Sequence, residues 1–205
     1  LYSGSLGYGE RIFNDQFYFV KRQAVNLVAG IIAMVVLSAV NLEVIRKHLP
    51  KIVAFTIVLS FLTFFPGIGI TKNGASRWIG IGPATFQPSE LVKLVLVFFL
   101  ANLFAKKHDR LDEPEVSVYP AAVMTSVLVA TVYLQRNFST AILLIVIALS
   151  IFFVAGVRVS WFVKFCLLSL PLVALMVLSE EYRVKRILAY IYPERYPLSF
   201  GYQVN

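Results

Sequence analysis

Six apolar runs, each near the roughly 20 residues that a helix needs to cross a bilayer, constrain this chain more than any other feature. They are Ala24 to Asn41, Ile52 to Pro66, Pro88 to Ala105, Val118 to Leu134, Phe138 to Val157 and Trp161 to Leu178. The shorter ones reach full length by counting Tyr, Phe, Ser and Thr at their ends, residues that membrane interfaces accept. Composition agrees: 59% of residues are hydrophobic, 15% are charged and the mean hydropathy is +0.77. Soluble domains carry roughly 45–50% apolar and roughly 25% charged residues, so a water-soluble bundle is excluded. The pattern predicts an all-α fold, a polytopic transmembrane helix bundle of about six spans, with residues 1–205 forming a single transmembrane domain. The single cysteine, Cys166, lies inside an apolar run and reads as a packing residue. The chain opens on Leu1 with no basic-then-apolar signal pattern, which reads as a cut with a helix missing upstream.

Orientation depends on Lys and Arg in the links between spans. One face would hold Arg46, Lys47 and Lys51, then Lys106, Lys107 and Arg110, then Arg158 and Lys164. The other would hold Arg11, Lys21, Arg22, Lys72, Arg77, Arg136, Arg183, Lys185, Arg186 and Arg195. The counts nearly balance, but the first group sits in three compact links, which assigns them to the cytoplasm. Residues 67–90 then form an outer loop and residues 180–205 begin a second outer segment.

The outer insert "PGIGITKNGASRWIGIGP" carries a turn signal at Lys72-Asn73-Gly74, while Gly80, Gly82 and Pro83 rule out a continuous helix through the rest. A folded loop is expected. Gln87-Pro88-Ser89-Glu90 reads as a helix start, with proline at the first helical position and an acid where the helix dipole favours it. Glu90 and Lys93 stand three residues apart on one helix face, one turn inside the membrane boundary. Two readings fit them: a mutually neutralising structural pair, or the polar lining of a cleft that opens outward. Trp78 by itself would suit an aromatic belt. Further on, "EEYRVKRILAYI" places Val184, Ile187, Leu188 and Ile191 at helical spacing, with Arg183, Lys185 and Arg186 mainly elsewhere, as in an amphipathic helix lying on a membrane. That helix would anchor to anionic headgroups, or form a basic wall for an anionic lipid-linked substrate, and the two roles are compatible.

"NGASRWIGIGPATFQPSELVKL" resembles the signature segment of the SEDS family of bacterial cell-wall proteins, the group containing FtsW, RodA and SpoVE. "FYFVKRQ", "LQRNFSTA" and "YRVKRILAYIYPERYPLSFGYQ" are similar to further family segments in the same order, so the resemblance covers nearly the whole chain. It implies a ten-helix fold, of which this chain would supply the second to seventh helices, in the bacterial cytoplasmic (inner) membrane. The implied activity is that of a peptidoglycan glycosyltransferase polymerising lipid II at the outer face of that membrane during division or elongation. A class B penicillin-binding protein is the implied protein partner, alongside membrane lipids; no nucleic-acid partner is expected. By matching position the resemblance puts substrate binding on Arg77, Trp78, Glu90 and Lys93, and the basic stretch adds Arg183, Lys185 and Arg186. A divalent cation is compatible with this chemistry, although the chain offers no evident ligand set for one.

Two departures from the family pattern matter. Where the family usually reads Leu-Gln-Pro-Asp, this chain has Gln135-Arg136-Asn137, so a carboxylate becomes a neutral amide. The family's catalytic aspartate belongs to a Thr-Asp-Phe segment downstream of the Gly-Tyr-Gln match and falls beyond Asn205, so no catalytic base is assigned within the chain. A lipid-linked precursor transporter and a non-catalytic scaffold recruiting a transpeptidase stand as the alternative functions. The transporter is disfavoured because, apart from Glu90 and Lys93, the spans hold almost no charged residues along a route.

Overall fold

The computed structural model describes residues 10–11, 14–72, 75–81, 84–179 and 181–191. The chain forms two compact units, Leu1–His48 and Leu49–Asn205. In the first, helix α1 (Tyr18–Ser38) carries Lys21, Arg22 and Gln23 in its first turns and is apolar from Ala24 to Leu37 apart from Asn26. A run that is apolar all round over this length is suited to lipid. The unit break falls within α2 (Leu42–Leu62), whose later part presents a buried stripe of Leu49, Val53, Thr56 and Ser60 at spacings of three and four residues.

The second unit continues with a three-stranded antiparallel sheet, β1 (Gly69–Lys72), β2 (Ala75–Ile81) and β3 (Ala84–Phe86). It then adds α3 (Pro88–Lys106), a short 3₁₀ turn at His108–Arg110, α4 (Val118–Leu134), α5 (Phe138–Val154), α6 (Val159–Leu178) and α7 (Glu181–Ile191). The core lies where α3, α4 and α5 meet, and α6 closes one side. Val92, Leu96 and Leu100 of α3 face Leu128 and Val132 of α4 and Leu144 and Phe152 of α5, all fully enclosed. Ala121, Ala141 and Ala148 are also fully buried, and such small side chains allow helix backbones to approach closely. Phe152 meets Phe104 edge-on at 5.1 Å and stacks on Phe165 of α6 at 4.9 Å.

All six apolar runs form helices, with shifted edges. Three helices, Tyr18–Ser38, Pro88–Lys106 and Val159–Leu178, are long and apolar enough to cross a membrane by length and composition alone. Val118–Leu134 and Phe138–Val154 are apolar but shorter, at 17 residues each. The second helix starts at Leu42 rather than Ile52, so Arg46, Lys47 and Lys51 belong to its early turns and not to a link. Pro50 is tolerated there although it removes a helical hydrogen bond. Helix α3 begins as expected, with Pro88 in its first turn, Glu90 beside it and Lys106 in the last turn.

The insert is more ordered than the sequence suggested, because its glycines and turn residues separate strands. The connections at residues 73–74 and 82–83 lie outside the described residues. Register slips by one between β1 and β2: Ile70 pairs with Trp78 and Thr71 with Ser76, which leaves Arg77 as the extra residue. A bulge of this kind re-aims a side chain out of the regular alternation. At the start of β1, Gly69 packs directly on the Thr63 carbonyl at the end of α2.

Side-chain contacts define two ends of this second unit. At one, Arg158 pairs with Asp112, joining the α5–α6 link to the α3–α4 link. At the other, the sheet, the α4–α5 turn and α7 converge, and the predicted functional residues gather there.

Candidate functional site

The α4–α5 turn, Gln135-Arg136-Asn137, organises this end, because each of its three residues bonds to a different element. Gln135, fully buried, donates from Nε2 to the Ser60 carbonyl of α2 at 2.9 Å. The Arg136 carbonyl accepts from Nη2 of Arg77, the bulged residue of β2. Asn137, only 4% exposed, donates from Nδ2 to Ser89 Oγ in the first turn of α3 at 3.0 Å. Ser89 Oγ also accepts from Gln87 Nε2 at 2.9 Å.

Arg183 reaches inward from α7 to the same turn. Its guanidinium lies 4.5 Å from the Phe138 ring centroid and 5.9 Å from that of Tyr133, within cation–π range. It donates to the Met176 carbonyl and, at 3.0 Å, to Ser179 Oγ, which is itself hydrogen-bonded to the Tyr133 hydroxyl at 3.0 Å. Arg77 and Arg183 are electrostatic neighbours: burial, and after it the positive charge of Arg183, push the Arg77 guanidinium below its ordinary value. Among the described residues neither arginine has a carboxylate partner, and Arg77 Nε is buried without any hydrogen-bond partner. A partly buried guanidinium in the field of a second positive charge is destabilised, so this end of the bundle would favour an anion.

Glu90 and Lys93 form the expected ion pair, Oε2 to Nζ at 2.8 Å, with the lysine side chain 26% and the glutamate 57% exposed. Lys93 lies one helical turn after the enclosed Ser89, at the edge of the buried face of α3. The pair is joined to the arginines through the turn, by way of Ser89, Asn137 and Arg136. Trp78 is half-buried in β2, opposite Ile70.

Arg183 and Lys185 of the basic stretch take different partners. Arg183 turns into the bundle, whereas Lys185 pairs with Glu181 at 2.8 Å on the same helix. The side chain of Arg186 lies outside the described residues, as does the whole segment 192–205. Ile187, Leu188 and Ile191 are exposed together on α7, as expected of an interfacial helix. No group of three or more His, Cys, Asp or Glu that could hold a metal ion occurs among the described residues.

The family model described as "Cell cycle protein", FTSW_RODA_SPOVE, matches residues 1–205. The chain belongs to the FtsW/RodA/SpoVE family. Named relatives include a probable peptidoglycan glycosyltransferase FtsW from Geobacter sp. (strain M18), 33% identical over 100% of this chain and 56% of the relative. Stage V sporulation protein E of Bacillus subtilis is 31% identical over the same shares of the two chains. The chain thus spans about half the length of the curated relatives it matches. Among solved structures, one described as "Structural coordination of polymerization and crosslinking by a peptidoglycan synthase complex" matches with a TM-score of 0.69 and 25% identity, over 90% of this chain and 54% of that one. Thermus thermophilus rod shape determining protein RodA matches with a TM-score of 0.63 and 26% identity, over 77% and 50%. Membership in the FtsW/RodA/SpoVE family together with the apolar helices makes this a membrane protein.

Within this member of the FtsW/RodA/SpoVE family, sequence reasoning reached Arg77, Glu90, Lys93 and Arg183 but missed Gln135 and Ser89. Asn137 drew notice for the charge it lacks, whereas its structural part is as an amide donor. The one legible signal was the polar run Gln135-Arg136-Asn137 between two apolar helices.

Proposed function

We propose that this chain is part of a peptidoglycan glycosyltransferase that polymerises lipid II at the outer face of the bacterial cytoplasmic membrane. The observation that carries this reading is that two guanidiniums without a described carboxylate partner meet the α4–α5 turn at the polar end of an apolar bundle, Arg77 on the Arg136 carbonyl and Arg183 on the Phe138 ring. Family membership and the activity named for the FtsW relatives support it. Glycosyl transfer from lipid II expels undecaprenyl diphosphate, and the developing negative charge on that leaving group needs preorganised cations. Arg77 and Arg183 suit its oxygens because guanidinium presents paired N–H donors. Lys93, with Glu90, lines the same polar mouth, Trp78 flanks it from β2, and α7 rests on the lipid surface, with Lys185 nearer the headgroups. A class B penicillin-binding protein is the proposed partner, a reading supported by the likeness to a solved peptidoglycan synthase complex.

The test is polymer formation from labelled lipid II by the full-length protein in vesicles together with its penicillin-binding partner. Arg77→Gln and Arg183→Gln should each lower polymer yield by about 100-fold or more while insertion is unchanged, the range seen when one transition-state donor is removed. An active wild type whose two variants are equally active would overturn the site assignment. A wild type that moves lipid II across the vesicle without polymerising it would establish a transporter. One that only retains the transpeptidase would establish a scaffold.

The orientation has its own check. In a Cys166→Ser background, cysteine introduced at Thr71 should react with an impermeant thiol reagent in intact spheroplasts, and cysteine at Asp109 should not. Both positions are exposed, so labelling reports sidedness rather than burial. The reverse pattern would reject the topology.

A further inference from the structure

We propose that Asn137 is a positioning residue for the transferase site, fixing the first turn of α3, and with it Glu90 and Lys93, relative to Arg77. The proposal rests on the transferase reading only for the consequence in rate; the geometry stands apart from it.

Three consecutive residues each forgo a local preference in order to bond elsewhere. Asn137 occupies the N-cap of α5, a position at which asparagine usually accepts a hydrogen bond from its own helix, yet it makes no side-chain cap. Its amide instead crosses to Ser89, 48 residues away in sequence. Arg136 sits at φ 56, in the left-handed region that non-glycine residues seldom adopt, and in that conformation its carbonyl receives Arg77. Such conformations persist where the surroundings over-determine them, commonly at functional sites. Gln135 is fully enclosed and leaves Oε1 without a partner while its amide holds α2. The turn therefore joins α2, the sheet and α3 at one place, and Asn137 is the member whose bond acts directly beside the ion pair.

The Asn137 bond has a defined polarity. Ser89 Oγ accepts from both Gln87 and Asn137, so the residue at 137 acts here as a donor. Alanine at 137 removes the donor and leaves Ser89 tied only to Gln87, its neighbour two residues earlier. The first turn of α3 is then free to shift against the α4–α5 turn. Displacements of about 1 Å at reacting groups can cost about 100-fold in rate.

The experiment uses the full-length protein with lipid II and its penicillin-binding partner. Asn137→Ala should lower kcat about 10-fold or more with KM changed less than about threefold, and Ser89→Ala should do the same. The double variant should be no worse than the poorer single, because Ser89→Ala already removes the bond that Asn137→Ala removes. Asn137→Gln, which keeps the amide on a longer stem, should recover part of kcat. Alongside, spin labels at the exposed positions Leu94 of α3 and Val146 of α5 should give one narrow distance that broadens or shifts in Asn137→Ala. Multiplicative losses in the double variant, or an unchanged label distance in Asn137→Ala, would overturn the proposal. A wild type without polymerase activity whose label distance nevertheless shifts in Asn137→Ala would reject the transferase reading and retain the positioning role.

Discussion

Lys93→Ala is expected to lower glycan polymerisation by the full-length protein about 100-fold or more while leaving membrane insertion intact. The sequence left two readings of Glu90 and Lys93 open, a neutralised structural pair and a polar lining, and the expectation follows from the second. Lys93 is the more enclosed partner, at 26% against 57%, and it follows the fully buried Ser89 by one helical turn. A lysine kept only to neutralise a neighbour would instead be free to extend toward the headgroups. A 100-fold loss corresponds to about 2.7 kcal/mol, the size expected for one charge-stabilising donor in a water-poor site. Glu90→Gln should cost less, because its carboxylate is mainly exposed and accepts from Lys93 without touching the turn. The double variant Glu90→Ala with Lys93→Ala is the discriminating measurement. Mutual neutralisation predicts that removing both charges restores polymer yield, whereas a substrate-facing lysine predicts that the double variant stays as inactive as Lys93→Ala. Recovery in a well-inserted double variant would return the pair to a structural role.

The helices were legible because apolar runs of this length have few alternatives in a chain with so few charges. Edges were less so. The early turns of α2 carry Arg46, Lys47 and Lys51, and hydropathy alone places such residues in a link even where the backbone stays helical. The sheet escaped notice for a different physical reason. Strands are read from strict alternation, and the bulge at Arg77 breaks that alternation in the middle of β2, so "ASRWIGI" shows no clean period of two. The α4–α5 turn was legible as a polar run between apolar helices, but its partners could not be read from local pattern. Its bonds run from Gln135 to Ser60, from Arg77 to Arg136 and from Asn137 to Ser89, each joining residues far apart in sequence. Arg183 illustrates the same limit: a basic stretch suggests an outward face, and only the ring contacts with Phe138 and Tyr133 reveal that one of its cations turns inward.

Gly69→Ala should destabilise the second unit by about 1–3 kcal/mol, as expected of overpacking a closed site, and should carry polymerisation down with it. A Cβ at position 69 would overlap the Thr63 carbonyl oxygen and lie 2.6 Å from its carbon and 3.2 Å from its Cα. These are backbone atoms and have little freedom to yield. Thr63 is only 2% exposed, its hydroxyl donates to the Ser60 carbonyl, and that carbonyl also accepts from Gln135. On the other side, the Gly69 amide donates to the Phe65 carbonyl at 2.9 Å, and its strand pairs Gly69 with the buried Ile79. Relief must therefore come from moving β1 away from α2, which pulls on β2 and displaces the bulge that aims Arg77 at the α4–α5 turn. Gly80→Ala is the matched control. Its Cβ would meet only the Cδ1 and Cγ1 atoms of the Ile70 side chain, at 2.6 and 3.2 Å, and a rotamer change can clear them. Thermal unfolding in detergent should show Gly69→Ala melting well below the wild type and Gly80→Ala close to it, with polymer yield following the same order. Equal melting of the two variants would show that the contact between β1 and α2 is loose enough to absorb a methyl group, and that the sheet does not hold Arg77 in place through Gly69.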